Sequence, residues 1–208
     1  MGVFGIHNSL LPKYRGCAPL VWSIINGDNE VGASVFKFTP GMDDGDILLQ
    51  VRVSNEIYDT IGTILYKIEN ALVEEMPKKW QSLLNGSAVL YKQNENDATY
   101  GGQRMPEDGC INWANSARYV HDFIRAQTTP YPGAFSFMGD KKLVIHRTEP
   151  DVRVFYGTPG QVLLRHDGKV TIACGGKSAI NICEISVDGI PQVPTSIVRS
   201  ISTRLRCN

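Results

Sequence analysis

Between Ile61 and Leu83, apolar side chains recur at Ile61, Ile64, Leu65, Ile68, Leu72, Met76, Trp80 and Leu83, the spacing that lines one face of an α-helix. A stripe of that length must be covered by another layer, and the flanking segments supply it as strands. Val3 to Ile6 ends a short apolar strand, Gly32 to Thr39 reads as a second and Ile47 to Val53 as a third, with a short helix from Pro19 to Asn26 between them. Strands alternating with helices predict α/β architecture. Pro77 falls inside the long helical run and is expected to kink or break it.

The pattern changes after residue 92. "YKQNENDATYGGQRMPED" (91–108) is polar and irregular, and 93–107 is read as a linker or binding loop between residues 1–92 and 108–208. Asn115 or Ser116 caps a helix with Ala117, Val120, Phe123 and Ile124 on one face, which "TTPYPGAF" stops. Short strands follow at 134–138, 143–147, 160–165, 170–174 and 179–187, and "HDGK" carries the Asp-Gly signal of a tight hairpin. The tail thus reads as a small, mostly β, barrel-like domain.

Lys and Arg number 21 against 21 Asp and Glu, so broad nucleic-acid binding, which rests on excess positive charge, is not expected. No apolar run approaches the roughly 20 residues that span a bilayer, and the N-terminus has no signal-peptide pattern; the reading is a soluble, cytoplasmic protein without membrane contact. The five cysteines show no Cys-x-x-Cys spacing, which predicts reduced thiols and no metal site.

Two short stretches carry chemistry. "GIHNSLLPKYRG" (5–16) places His7 at a strand end, where acid/base groups serve ligands in open α/β sheets. "PGMDDGDILLQ" (40–50) sets three carboxylates in a sharp turn before a strand; alone it reads equally as a solvated acidic turn, and the spacing of an EF-hand calcium loop is absent.

Together these stretches, with His7 and Asp43 separated by 36 positions, resemble the signature of the folate-dependent formyltransferases. "APLVWSIINGDNEVGASVF", "TYGGQRMPEDGCINW" and "FIRAQTTPYPGAF" extend the resemblance over most of the chain, and "HNSLLPKYRG", "R-x-P-x-D-G" and "PYPGAFSF" lean towards sugar-nucleotide N-formyltransferases. The resemblance implies a partial Rossmann-like formyltransferase core followed by the barrel-like domain. It implies transfer of a formyl group from N10-formyltetrahydrofolate, without a metal, to the amine of a nucleotide-linked amino sugar of the kind used in lipopolysaccharide or O-antigen. His7 would stabilise the oxyanion, and Asp43 would fix the protonation of His7 and relay the amine proton. The backbone of Phe38, Thr39, Pro40, Gly41 and Met42 would flank the pterin. Arg104 is the first candidate for the pyrophosphate, followed by Lys13, Arg15 and Arg125. Ser9 is read as fixing its loop.

Two departures from the family pattern stand out. Gly5 occupies the position, two before the His, where the family commonly carries Asn as a donor to the formyl oxygen. The family's first half of the catalytic domain, which precedes this motif, is missing, so the strand at 3–6 is expected beside an exposed edge. A truncated product, a domain completed by another chain and a non-catalytic nucleotide-sugar-binding remnant all satisfy that pattern. Methionyl-tRNA formyltransferase and formyltetrahydrofolate hydrolysis are the enzymatic alternatives, and a homodimer stays open.

Overall fold

The early apolar segments fold as β1 (Phe4–His7), β2 (Arg15–Gly16), α1 (Pro19–Ile25), β3 (Glu30–Lys37), β4 (Ile47–Ser54), α2 (Ile61–Leu84) and β5 (Tyr100–Gly101). The computed structural model describes residues 2–207 and divides into two units between Arg104 and Met105. In the first unit β1, β3 and β4 form an antiparallel sheet in that order, so β1 is its edge, while β2 and β5 make a separate short parallel pair. β3 is buried from Val31 to Phe36, as expected of a central strand covered on both faces.

Thr60 caps α2: its hydroxyl accepts from Thr63 N at 3.3 Å, and the Thr63 hydroxyl accepts from Thr60 N at 2.9 Å. Ile61, Ile64 and Ile68 are buried, and the helix packs on β4. Contrary to the expectation of a break, α2 runs through Pro77 to Leu84. The proline withholds one N–H from the carbonyl of Val73, a residue 74% exposed, where water can take the donor's place. Beyond Ile68 the apolar stripe is only partly covered. Leu72, Met76, Trp80 and Leu83 line an open groove of about 380 Å³ with Phe4 and Ile6 of the edge strand.

The second unit contains α3 (Ala117–Arg125), β6 (Ala134–Met138), β7 (Lys141–Asp151), β8 (Val162–His166), β9 (Lys169–Cys174), β10 (Ser178–Val187), β11 (Ile190–Gln192) and α4 (Pro194–Ile197). The Ser116 hydroxyl caps α3 by accepting from Tyr119 N at 3.2 Å. Six antiparallel strands run in the order β6-β7-β10-β9-β8, with β11 on β10. Asp167 and Gly168 turn the β8–β9 hairpin with φ of 48° and 77°, the left-handed pair that two-residue hairpins require. The C-terminal residues join the two edges of this sheet: Phe137 of β6 exchanges hydrogen bonds with Arg206, and Leu205 N donates to Gly160 O just before β8. That bridge makes the unit barrel-like around a core that includes Trp113, Ile124, Ile145, Ile172 and Ile182.

The expectation of reduced thiols is corrected for one pair. Cys110 and Cys207 form a disulfide across a sequence separation of 97, which no local spacing announces; Cys17, Cys174 and Cys183 are free. Burial pushes the Cys174 thiol up to about 12. The disulfide pins the segment that joins the sheet edges, and cross-links of this kind typically contribute about 2–4 kcal/mol. Cys207→Ser should therefore lower the thermal midpoint under non-reducing conditions, and dithiothreitol should lower the wild type to the same value; a variant melting with the oxidised wild type would contradict this.

Candidate active site

His7 closes β1 and is 9% exposed, with its ring fixed on two sides. Nε2 lies 2.8 Å from Tyr14 O; a carbonyl only accepts, so this nitrogen carries the proton. Nδ1 faces Asp43 Oδ2 at 3.7 Å. Phe36 meets the imidazole edge-on, with centroids 6.3 Å apart.

The loop after β1 is held by side chains of the sheet below it. Ser34 of β3 accepts from Leu11 N at 3.1 Å and donates to Ser9 O at 2.7 Å; Gln50 of β4 donates to Leu11 O at 2.7 Å and to Ser34 Oγ at 2.9 Å. The Ser9 hydroxyl donates to Lys13 O at 2.6 Å, so its proton serves the loop. Tyr14 adopts φ 58°, rare for an aromatic residue, and is tied at both ends: its N–H donates to Thr99 Oγ1 at 2.8 Å and its hydroxyl to Asp28 at 3.0 Å. Burial pushes that hydroxyl above the usual phenol value.

Asp43 also has left-handed backbone, φ 51°, and Oδ2 accepts from Gly16 N at 2.7 Å. The turn that carries it permits no side chain at Gly45, where a Cβ would lie 1.7 Å from Lys37 O. The loop therefore reverses tightly between β3 and β4, leaving Phe38, Thr39, Pro40, Gly41 and Met42 exposed directly before Asp43.

Gln93 joins the two motifs, a role the sequence reading missed. Its Nε2 donates to Asp43 O at 2.7 Å and Gly45 O at 2.8 Å, while its Oε1 accepts from Arg15 Nε and Nη2 at 3.1 and 2.9 Å. Arg15, proposed from sequence as a phosphate ligand, is corrected here. It is 2% exposed, and its remaining guanidinium edge is bidentate to Glu95 at 2.9 and 2.7 Å, so it braces the site. Arg125 is likewise buried, on α3 of the second unit, where Nε donates to Asp122 Oδ1 at 2.7 Å. Lys13 is exposed on the motif loop.

Arg104 is placed by Trp22, a second residue the sequence did not single out. The guanidinium carbon lies 4.8 Å from the indole centroid, and the indole N–H donates to Gly102 O at 2.8 Å. Pairing of Gly16 with Gly101 connects this segment to the backbone N–H that Asp43 accepts. The first unit thus gathers His7, Asp43, the 38–42 loop and the Gly16–Gly101 ladder: an imidazole and a carboxylate 3.7 Å apart, beside an exposed loop.

The chain is a member of the formyl transferase family: the model for formyl transferase matches residues 1–79, and that for the formyl transferase C-terminal domain matches residues 104–198. Among solved structures, the chain resembles HypX from Aquifex aeolicus in complex with tetrahydrofolic acid, with TM-score 0.72 and 19% identity over 96% of this chain and 35% of HypX. It also resembles an N-formyltransferase from Helicobacter canadensis in complex with folinic acid and dTDP-3-aminofucose, with TM-score 0.68 and 22% identity over 86% of this chain and 65% of that one. Methionyl-tRNA formyltransferase from Clostridium thermocellum aligns at 28% identity and TM-score 0.61, over 71% of this chain and 63% of the enzyme. The chain therefore spans about a third of HypX and somewhat under two thirds of the other two.

The brace has a pH signature. The Arg15 hydrogen bonds hold the Glu95 carboxyl below its ordinary range. A carboxylate depressed in the folded state stabilises above its unfolded pKa, about 4.3, and loses that contribution as pH falls through the folded value. Glu95→Gln should be less stable than wild type at pH 7, with the gap closing between about pH 5 and pH 3. Urea denaturation across that range measures it; a gap independent of pH would contradict the assignment.

Proposed function

We propose that this chain carries the reacting groups of an enzyme that moves a formyl group from N10-formyltetrahydrofolate to the amine of a nucleotide-linked amino sugar. The observation that carries this reading is the His7–Asp43 pair, 3.7 Å apart and held by Tyr14 O on one side and Gly16 N–H on the other, in a member of the formyl transferase family. The exposed 38–42 loop beside that pair is where the pterin would lie.

The amine nitrogen attacks the formyl carbon, and the carbonyl electron pair moves to oxygen. The new centre then collapses as the bond to N10 breaks; the amine loses a proton and N10 gains one. Because Nε2–H is engaged with Tyr14 O, the donor to the oxyanion is Nδ1–H of a protonated His7, or Nε2–H after the ring turns off that carbonyl. Asp43 Oδ2, facing Nδ1, stabilises the imidazolium and accepts the amine proton directly or through water. The sugar acceptor is supported by the lean of the sequence motifs and by Arg104, whose planar guanidinium matches phosphate oxygens and is set by the Trp22 face.

Incubation with N10-formyltetrahydrofolate and a dTDP-linked amino sugar should yield the N-formyl sugar and tetrahydrofolate in equal amounts. His7→Ala should lower the rate by about 10² to 10³, the usual cost of an oxyanion donor, and Asp43→Asn should lower it by about 10²-fold or more, within the range of general acid–base catalysis. Turnover unchanged in either variant refutes these roles, and formylation of methionyl-tRNA in place of the sugar refutes the acceptor.

A further inference from the structure

The residue standing two places before His7 is shaped by a side chain from the neighbouring strand. In the β1–β3 register Gly5 lies opposite Phe36 and His7 opposite Ser34, so strand alternation puts Gly5 and His7 on one face, side by side. On that face the Phe36 and Phe38 rings pack edge to face at 5.3 Å, continuing the row that begins with His7 and Phe36. A Cβ on Gly5 would come within 2.3 Å of Phe38 Cζ and 2.4 Å of Cε1. The end of the Phe38 ring thus fills the volume a side chain at position 5 would use. The ring is 53% exposed, so it is not a core residue; one part rests over the Gly5 backbone and the rest meets solvent. Its own backbone is fixed there by Phe38 N donating to Val3 O at 2.8 Å.

We propose that Gly5 and Phe38 are a matched pair that closes the sheet side of the His7–Asp43 site to water, and so favours formyl transfer to the amine over hydrolysis. This rests on the formyl-transfer reading above and deepens it. Without the ring, a glycine at this place would leave the space beside the imidazole without a side chain, a seat open to water. Water there competes with the amine: its oxygen attacks the formyl carbon, the bond to N10 breaks, N10 takes a proton, and formate leaves with tetrahydrofolate. An apolar ring over the glycine removes that seat and keeps the reacting groups in a drier environment. The ring in this position lies where a side chain at position 5 would stand, and a glycine there leaves it room.

The test compares two products from one reaction, formate and N-formyl sugar, so a loss of overall activity does not mask the outcome. Phe38→Ala should raise the formate-to-formyl-sugar ratio by about tenfold or more, and Phe38→Leu, which keeps an apolar cover, should stay within about twofold of wild type. Gly5→Ala, which dislodges the ring, should raise the ratio too, and Gly5→Ala/Phe38→Ala should do no more than Phe38→Ala alone. Thermal midpoints separate this partition from a packing defect, because a merely structural role lowers the midpoint without moving the ratio. An unchanged ratio in Phe38→Ala, or additive effects in the double variant, overturns the pair while leaving formyl transfer standing. Wild type that makes neither product overturns the formyl-transfer reading itself, and the pair with it.

Discussion

The carboxamide of Gln93 holds the first unit's chemistry in register. Its N–H groups take two carbonyls of the turn that bears Asp43, and its oxygen takes two donors from Arg15, next to the Gly16 N–H that Asp43 accepts. An amide is suited to this because it presents donors and an acceptor on opposite ends of one rigid plane. A carboxylate here would turn its oxygens on two carbonyls, and an ammonium would repel the guanidinium. Arg15 is in turn held by Glu95, so the polar segment after β4 and α2 braces the two motifs. The separation between His7 Nδ1 and Asp43 is thereby set from outside the pair.

Left-handed backbone marks the same place. Tyr14 and Asp43 flank the imidazole, one through its carbonyl and one through its carboxylate, and both sit at positive φ without being glycine. Such conformations persist where surrounding contacts over-determine them. Here the contacts are visible: Thr99 and Asp28 on Tyr14, Gly16 and Gln93 on Asp43. A preformed geometry of this kind costs little reorganisation when charge develops on a substrate oxygen.

Much of this was legible in the sequence because it follows periodicity or motif spacing. The stripe from Ile61, the Ser116 cap and the Asp-Gly turn before Lys169 each express a local rule, and each element formed where that rule placed it. His7 and Asp43 were named by motif order. What escaped prediction depends on contacts across long separations. Gln93 lies 50 residues from Asp43 and 78 from Arg15, in a stretch whose composition reads only as loop. Cys110 and Cys207 meet because the terminal segment bridges two sheet edges, and Arg15 resembled a free phosphate ligand because sequence does not show that two acceptors already surround it. Pro77 was expected to kink or break α2; the helix is not broken there, and the carbonyl left without a donor lies on a residue open to water.

Position 5 shows how these levels combine. Read as sequence, Gly5 is a missing amide. In the folded sheet it is the floor beneath an aromatic ring, and the row His7, Phe36, Phe38 runs along the face where that floor lies. A side chain restored at position 5 would displace the end of the Phe38 ring, which lies where its Cβ would stand. On the proposed formyl-transfer reading, the imidazole would polarise the formyl oxygen through its own N–H, with the Asp43 carboxylate facing its Nδ1.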